Sequence, residues 1–479
     1  MNEHFDVLVV GAGLSGIGAG CHLQKRCPDR TYAILEGREA SGGTWDLFRY
    51  PGVRSDSDMY TLGYRFRPWR QAKSIADGPS ILKYLRDTAA EHGVDRRIRY
   101  GHLVKRAAWS SADARWTVEA EHACRPVRFT CAFLFLCSGY YRYSEGYAPR
   151  FPGEERFAGR IVHPQKWTDD IAYADKRVVV IGSGATAVTL VPEMAKTAAH
   201  VTMLQRSPTW MVARPSQDPF ARWLRRWLPA RIAYGLTRWK QVLLQQYFFR
   251  LCRRNPARAK DLILQGVRAC LPGRDIADFT PRYNPWEQRL CLVPDADLFV
   301  AIRSGKASVV TGEIEAFDEK GVRLKSGEEL PADLIVTATG LELQVFGGIE
   351  LEVDGERVQA PGIFNYKGLM YSGVPNFASI FGYTNASWTL KSDLACEYVC
   401  RLLNHMRRHG YSRCTPRHRG ESASAEPWVD FSSGYIQRSL HLFPRQGAKA
   451  PWRLSQNYLR DLLTLRFGRL SDGEIEFSS

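Results

Sequence analysis

The sequence predicts an α/β protein made of two parallel-sheet units, the second inserted into the first. Three stretches predict it: "VLVVGAGLSGIGAGCHL" near the start, "KRVVVIGSGATAVTLVPEM" from Lys176, and "DLIVTATG" ending at Gly340. In the first two, an apolar strand runs into a glycine-rich turn and then into a helical pattern. The third is an apolar strand that resembles the place where a chain of this plan returns to its first unit. At 479 residues the chain exceeds one ordinary core, so two or three domains are expected.

In the first unit the strand Val7–Val10 meets Gly11, Gly13 and Gly16. Glycines there let the backbone turn tightly and approach a pyrophosphate, which sits on the positive end of the following helix. The next strand, "TYAILE", ends on Glu36, where a carboxylate can hold a ribose hydroxyl. Strand, loop, helix and acid together read as a Rossmann-like site, and the acidic anchor suits FAD. A glycine turn without a ligand is the bland reading.

In the second unit the strand Val178–Ile181 leads into Gly182, Gly184 and Ala187. Its next strand ends on Gln205, Arg206 and Ser207, with no carboxylate. Arg206 can pair with a 2′-phosphate, so this loop reads as NADP. A solvated surface arginine is the alternative.

Between these units lies "GGTWDLFRYPGVRSDSD", Gly42 to Asp58, which fits neither an amphipathic helix nor an alternating strand. Disulfide-reducing flavoenzymes carry a Cys-x-x-x-x-Cys pair after the first ribose anchor. Here no cysteine stands between Cys27 and Cys124, which disfavours thiol relay. The 11 cysteines are scattered without paired ligand spacing, so no metal site is expected, and a reducing cytoplasmic setting is. The start "FDVLVV" lacks a basic n-region, so no signal peptide is expected. No apolar run is long enough to span a bilayer.

Gly43, Trp45, Tyr50, Pro51, Gly52 and Asp56, with Phe157, Gly159, His163 and Trp167 in "FAGRIVHPQKW", resemble the two fingerprints of type I Baeyer–Villiger monooxygenases, in the class B flavoprotein group. "RYNPWEQRLCLVP", "FGYTNASWTLKSDL" and "PWRLSQNYLRDL" carry the resemblance almost to the C-terminus. Thr168 departs from it, standing where Pro or Asp is usual.

The resemblance implies FAD and NADPH as cofactors, a C4a-peroxyflavin, and insertion of one oxygen atom of O2 into ketones to give esters or lactones. It extends to sulfur oxidation in sulfides and thioamides, thioamide prodrugs included. It places Arg289 as a fixed cation for the oxygen chemistry and Asp56 beside it as the group that orients it. FAD contacts are implied for Ser15, Thr44, Trp45, Asp46, Leu47, Asp56 and Val104. NADP contacts are implied for Arg54, Ser55, Asp56, Ser183, Ala185, Thr186, Val188, Thr189 and Ser207. His163, in the linker before the second unit, is assigned to a hinge or domain contact rather than to acid–base work, and Asn385 and Trp388 to the substrate pocket. The bland readings are an ion pair for Arg289, a turn cap for Asp56 and core packing for Trp45.

The expected domains are 1–143 and 342–479 for FAD, with 144–341 for NADP and a helical insertion at about 208–283. Much of the net charge of +16 falls between Val212 and Lys260, where about a dozen Lys/Arg face one Asp. No nucleic-acid motif accompanies it, so nucleic acid is not an expected partner. In this stretch Phe220, Trp223, Leu224, Trp227, Leu228, Ile232, Leu236, Trp239 and Leu243 recur at helical spacing. Packing over the pocket is the first reading; peripheral contact with the inner face of the cell membrane is the second. The oligomeric state has no signal. Two other functions stay open: an N- or S-oxidising flavin monooxygenase without carbonyl insertion, and a redox-sensing flavoprotein without turnover.

Overall fold

The computed structural model describes residues 3–419, 426–428 and 432–479. The strand Glu3–Val10 runs parallel to Tyr32–Leu35 on one side and to Arg125–Leu136 on the other, with Val10 opposite both Leu35 and Leu136. Val7, Leu8 and Val9 are fully buried, as an apolar run must be when both faces of a parallel sheet are covered. Antiparallel Arg115–His122 and Leu103–Ser110 extend this nine-stranded sheet to Glu350–Val353, and Phe377–Ser379 joins at Arg125–Leu136. Residues from both ends of the chain thus share one sheet. The helix Trp388–His409 packs on it beside Leu14–Arg26 and ends at Gly410 in the left-handed region (φ 72°).

A second sheet of five parallel strands runs in the order Ala307–Thr311, His200–Gln205, Arg177–Ile181, Leu334–Thr337, Arg160–Val162. It is the inserted Rossmann-like unit. The chain enters and leaves it side by side: Arg142 N donates to Glu342 O at 2.9 Å, and Tyr147 N to Gly340 O at 3.1 Å.

The insertion forms three helices, Pro219–Trp227, Ala230–Arg254 and Pro256–Cys270. Asp218 and Asn255 cap the first and third by accepting from Ala221 N and Arg258 N, and a proline opens each, where its missing N–H costs nothing. The packing reading of the apolar stripe is corrected here. Leu224 is buried, but Trp223, Trp227, Ile232, Leu236, Trp239 and Leu243 are exposed, Trp227 to 75%. Ala230–Arg254 buries its opposite face, which is partly polar. Arg238 Nη1 there donates to Tyr60 O at 2.7 Å and Gly63 O at 2.8 Å, satisfying carbonyls left over at the end of a short helix.

Candidate active site

Both glycine loops open on one cleft of about 2000 Å³, well above the ~300–1,000 Å³ of an ordinary small-molecule site. Gly11 sits at φ +100°, and a Cβ there would lie 2.8 Å from Cys137 O. Only glycine lets the turn lie this close to the neighbouring strand end. Gly42 N donates to Ala12 O at 3.0 Å, so the opening loop folds over the phosphate turn, and a Cβ on Gly43 would meet Gly13 Cα at 3.0 Å. Glu36, at the strand end, accepts from Ala12 N at 2.7 Å and Arg38 N at 3.0 Å. Burial pushes its carboxyl above the usual range while those N–H groups pull it down. Gly11, Gly13, Ser15, Glu36, Thr44, Trp45, Leu47 and Val104 all line the cleft. Trp45 does so while also packing on the core.

Two residues of the first set do not line it. Gly16 would place a Cβ 1.8 Å from Gly11 O, so its part is to let helix and turn meet. The Asp46 carboxylate is buried against Arg38 (2.8 Å), Arg49 (3.1 Å) and Arg86 (2.8 Å), which fixes the loop from behind. The Asp46 carboxylate thus faces these arginines and not the cleft.

In the second loop Gly182, Ser183, Gly184, Ala185, Thr186 and Thr189 line the cleft. Ala187 and Val188 do not: both side chains are fully buried in the core beneath the loop. A Cβ on Gly184 would meet nothing within 4 Å. Gln205 is spent on structure, donating to Asp278 O at 2.7 Å and Thr311 Oγ1 at 2.9 Å. Arg206 and Ser207 stand exposed at the rim.

The two cradles meet at Arg289. Glu287 accepts from Asn284 N (2.9 Å) and Nδ2 (2.7 Å), closing a tight turn in which Trp286 adopts φ 66°. Such left-handed backbone in a bulky residue is held only by its surroundings. The turn delivers the Arg289 guanidinium into the cleft, 33% exposed, with Nη1 donating to Asp56 Oδ2 at 3.4 Å. Burial works against its charge, but the Asp56 carboxylate favours the charged form and the guanidinium is held well above its ordinary value, with Tyr435, Tyr140 and Tyr141 packed around it. Tyr141 and Tyr435 are themselves pushed up to about 12, first by burial, so their hydroxyls stay protonated at neutral pH. Asp56 is not a turn cap. That work falls to Ser55, which accepts from Ser57 N, and to Asp58, which accepts from Thr61 N. Arg54 lines the cleft but is tied by an ion pair to Asp297, and Ser55 is buried beside it.

The three tyrosines were not singled out in the sequence. Tyr140 and Tyr141 had a signal, following directly on a parallel strand at its C-terminal end, where ligands collect. Tyr435 had none, because only the tertiary fold brings it there. Asn385 and Trp388 line the cleft; Trp388 stacks on Tyr140 at 5.3 Å and donates Nε1 to Ser15 Oγ at 2.8 Å. Trp167 instead packs in the inserted unit's core, edge-on to Tyr173. His163 joins the crossing segments: its Nδ1 accepts from Gln165 N, which leaves Nε2 to donate to Gly340 O at 3.1 Å.

Residues 75–238 match the flavin-binding monooxygenase-like family, and residues 9–73 the NAD(P)-binding Rossmann-like domain. The whole chain is 55% identical over 481 residues to the FAD-containing monooxygenase EthA of Mycobacterium tuberculosis, covering 98% of that relative. The chain belongs to the FAD-containing monooxygenases. Solved structures share this monooxygenase's fold at low identity. Oxidized steroid monooxygenase bound to NADP superposes with a TM-score of 0.81 at 21% identity, over 99% of this chain and 100% of that one. OTEMO in complex with FAD and NADP gives 0.77 at 20%, over 100% of both. The monooxygenase takes FAD and NADP(H), and the two cradles fit them in chemistry. The closed one offers a glycine turn and an acid for a ribose, the open one a second glycine turn and Arg206 for a 2′-phosphate.

Proposed function

We propose that this monooxygenase uses NADPH to insert one oxygen atom of O2 into ketones, giving esters or lactones, while the other oxygen atom leaves as water. Sulfur in sulfides and thioamides is a second class of acceptor. Bound flavin supplies the hydride acceptor and the site of oxygen activation. The reading takes 1–143 and 342–479 as the flavin unit and 144–341 as the nicotinamide unit, with about 208–283 over the substrate side.

The observation that carries the proposal is Arg289, a permanent cation where the two cradles meet, with Asp56 at 3.4 Å and three protonated tyrosines around it. A guanidinium cannot lose its proton at working pH and presents several donors, so it can hold an anionic oxygen and then the oxyanion formed on a carbonyl. Asp56 orients that fork without neutralising its far side. Leu244, Phe248 and Leu251 of the insertion line the same cleft and keep water from the reacting groups, which strengthens the field of Arg289.

The test is NADPH oxidation with phenylacetone or a 2-alkanone, with products identified by mass spectrometry. Ester formation supports the reading. Sulfide or amine oxidation with no ester from any ketone would move the enzyme to the heteroatom oxidisers. Bound flavin that NADPH never reduces would leave a sensor.

A further inference from the structure

Most large apolar side chains exposed among the described residues fall between Phe220 and Leu262. On Pro219–Trp227, Phe220, Trp223 and Trp227 recur at i, i+3 and i+7, exposed to 38%, 57% and 75%. On Ala230–Arg254, Ile232, Leu236, Trp239, Leu243 and Tyr247 form a second stripe, each at least 43% exposed. The stripes join where Lys240 Nζ of the second helix lies 5.0 Å from the centroid of the Phe220 ring, which also packs on Trp223. Arg222, Arg226, Arg231, Arg250 and Arg254 stand exposed around them. Asp218, the single acid from Val212 to Lys260, is buried and paired with Lys240 Nζ at 2.5 Å.

The second stripe runs on into the cleft. Leu244 and Tyr247 are both exposed and cleft-lining, and Phe248 and Leu251 continue the lining inward. A contiguous Trp-rich face of this kind marks a contact surface. Charge selects the contact. A second copy placed symmetrically would set this basic face against itself, whereas anionic headgroups complement it and the interface accepts Trp rings. No helix among the described residues is long and apolar enough to cross a membrane, so the contact is peripheral.

We propose that Pro219–Trp227 and Ala230–Arg254 dock the enzyme on an anionic lipid surface, with the cleft mouth at Leu244 and Tyr247 turned to the bilayer. An apolar substrate then passes from the acyl region into the cleft without crossing water; this consequence rests on the ketone reading, while the docking does not.

Flotation of the flavin-loaded full chain with phosphatidylglycerol-containing vesicles at low salt tests the docking. The chain is expected to float with these vesicles and to stay down with phosphatidylcholine alone. Trp223→Ser/Trp227→Ser/Trp239→Ser should lower partitioning at least about tenfold, with flavin content and ketone-free NADPH oxidation unchanged. Trp227→Ser alone, at the most exposed position, should lower it by about threefold. A chain that stays down with anionic vesicles overturns the proposal, as does a triple variant that floats like its parent. So does a parent dimer that the triple variant splits while neither form floats. Anionic vesicles should also lower the KM of a long 2-alkanone in the parent and not in the triple variant. Flotation without ester from any ketone would fault the ketone reading and leave the docking standing.

Discussion

The two dinucleotide cradles share one strand–turn–helix plan and differ in what lies over them. In both, the first glycine, Gly11 or Gly182, lies against a neighbouring strand end, but around the first Gly43 of the opening loop presses on Gly13, and the anchor Glu36 is only 7% exposed. Around the second, Gly184 faces open space and the anchor Arg206 stands at the rim. A roofed cradle releases its ligand slowly and an open one exchanges it. We infer that the closed cradle keeps FAD through many turnovers while NADP⁺ leaves the open one after each.

The sharpest way to break this contrast is Gly11→Ala. With φ +100° and a Cβ 2.8 Å from Cys137 O, alanine cannot fit, and the purified protein should retain less than about a hundredth of its flavin, read by fluorescence after heat release. Normal flavin content in that variant would show that the close approach of the turn to the strand end is not needed to hold FAD.

Next in size is Arg289→Ala, at the seam between the cradles. It should keep its flavin and its reduction by NADPH, yet lose about 10²–10³-fold in ester formation, with Arg289→Lys recovering part. Ester made at near the parent rate would remove the guanidinium from the chemistry.

A smaller effect belongs to the open cradle alone. Arg206→Ala should raise the KM for NADPH about 10- to 100-fold, the loss of one charge-assisted contact of about 1.4–2.8 kcal/mol, and leave NADH within about twofold. Equal shifts for the two would show that Arg206 does not read the 2′-phosphate. Gly184→Ala, at a φ of −76° that alanine accepts, should raise both KM values several-fold while flavin content stays constant.

The smallest effect concerns His163, which bonds Gly340 where the chain crosses between the units. Burial depresses the folded His163 below its ordinary 6.5. As pH falls, the unfolded chain therefore takes up the proton first. The stability is complete above about 6.5 and is lost as pH drops through the window down to the folded value. His163→Gln should flatten the fall in Tm between pH about 6.5 and 5 by on the order of 1–2 °C. An unchanged slope would show that this imidazole does not couple to folding.

Much of the fold was legible because its signals are local. A glycine turn after an apolar strand, and an acid or arginine closing the next strand, fix a dinucleotide cradle whatever the rest of the chain does. The family fingerprints carried the cleft residues further, and within them Thr44, Trp45 and Leu47 face the cleft while Asp46 between them turns away to three arginines. Spacing along a short helix says that neighbours point differently, but not which one meets the ligand. The same limit applies to "RSDSD", where Asp58 rather than Asp56 caps the helix.

By itself, then, the sequence determined two nucleotide-binding units, the order of their parts and the separate chemistry of Glu36 and Arg206, all set by backbone conformation and short-range periodicity. Only the tertiary structure decided the rest. It gathered Tyr140, Tyr141 and Tyr435 around Arg289 from distant segments, and it turned the tryptophan stripe of the insertion outward while burying Arg238 on the opposite face. Helical periodicity identifies a face but carries no sign. Which face goes inside depends on the carbonyls and carboxylates that other segments present, and those are brought near only by folding.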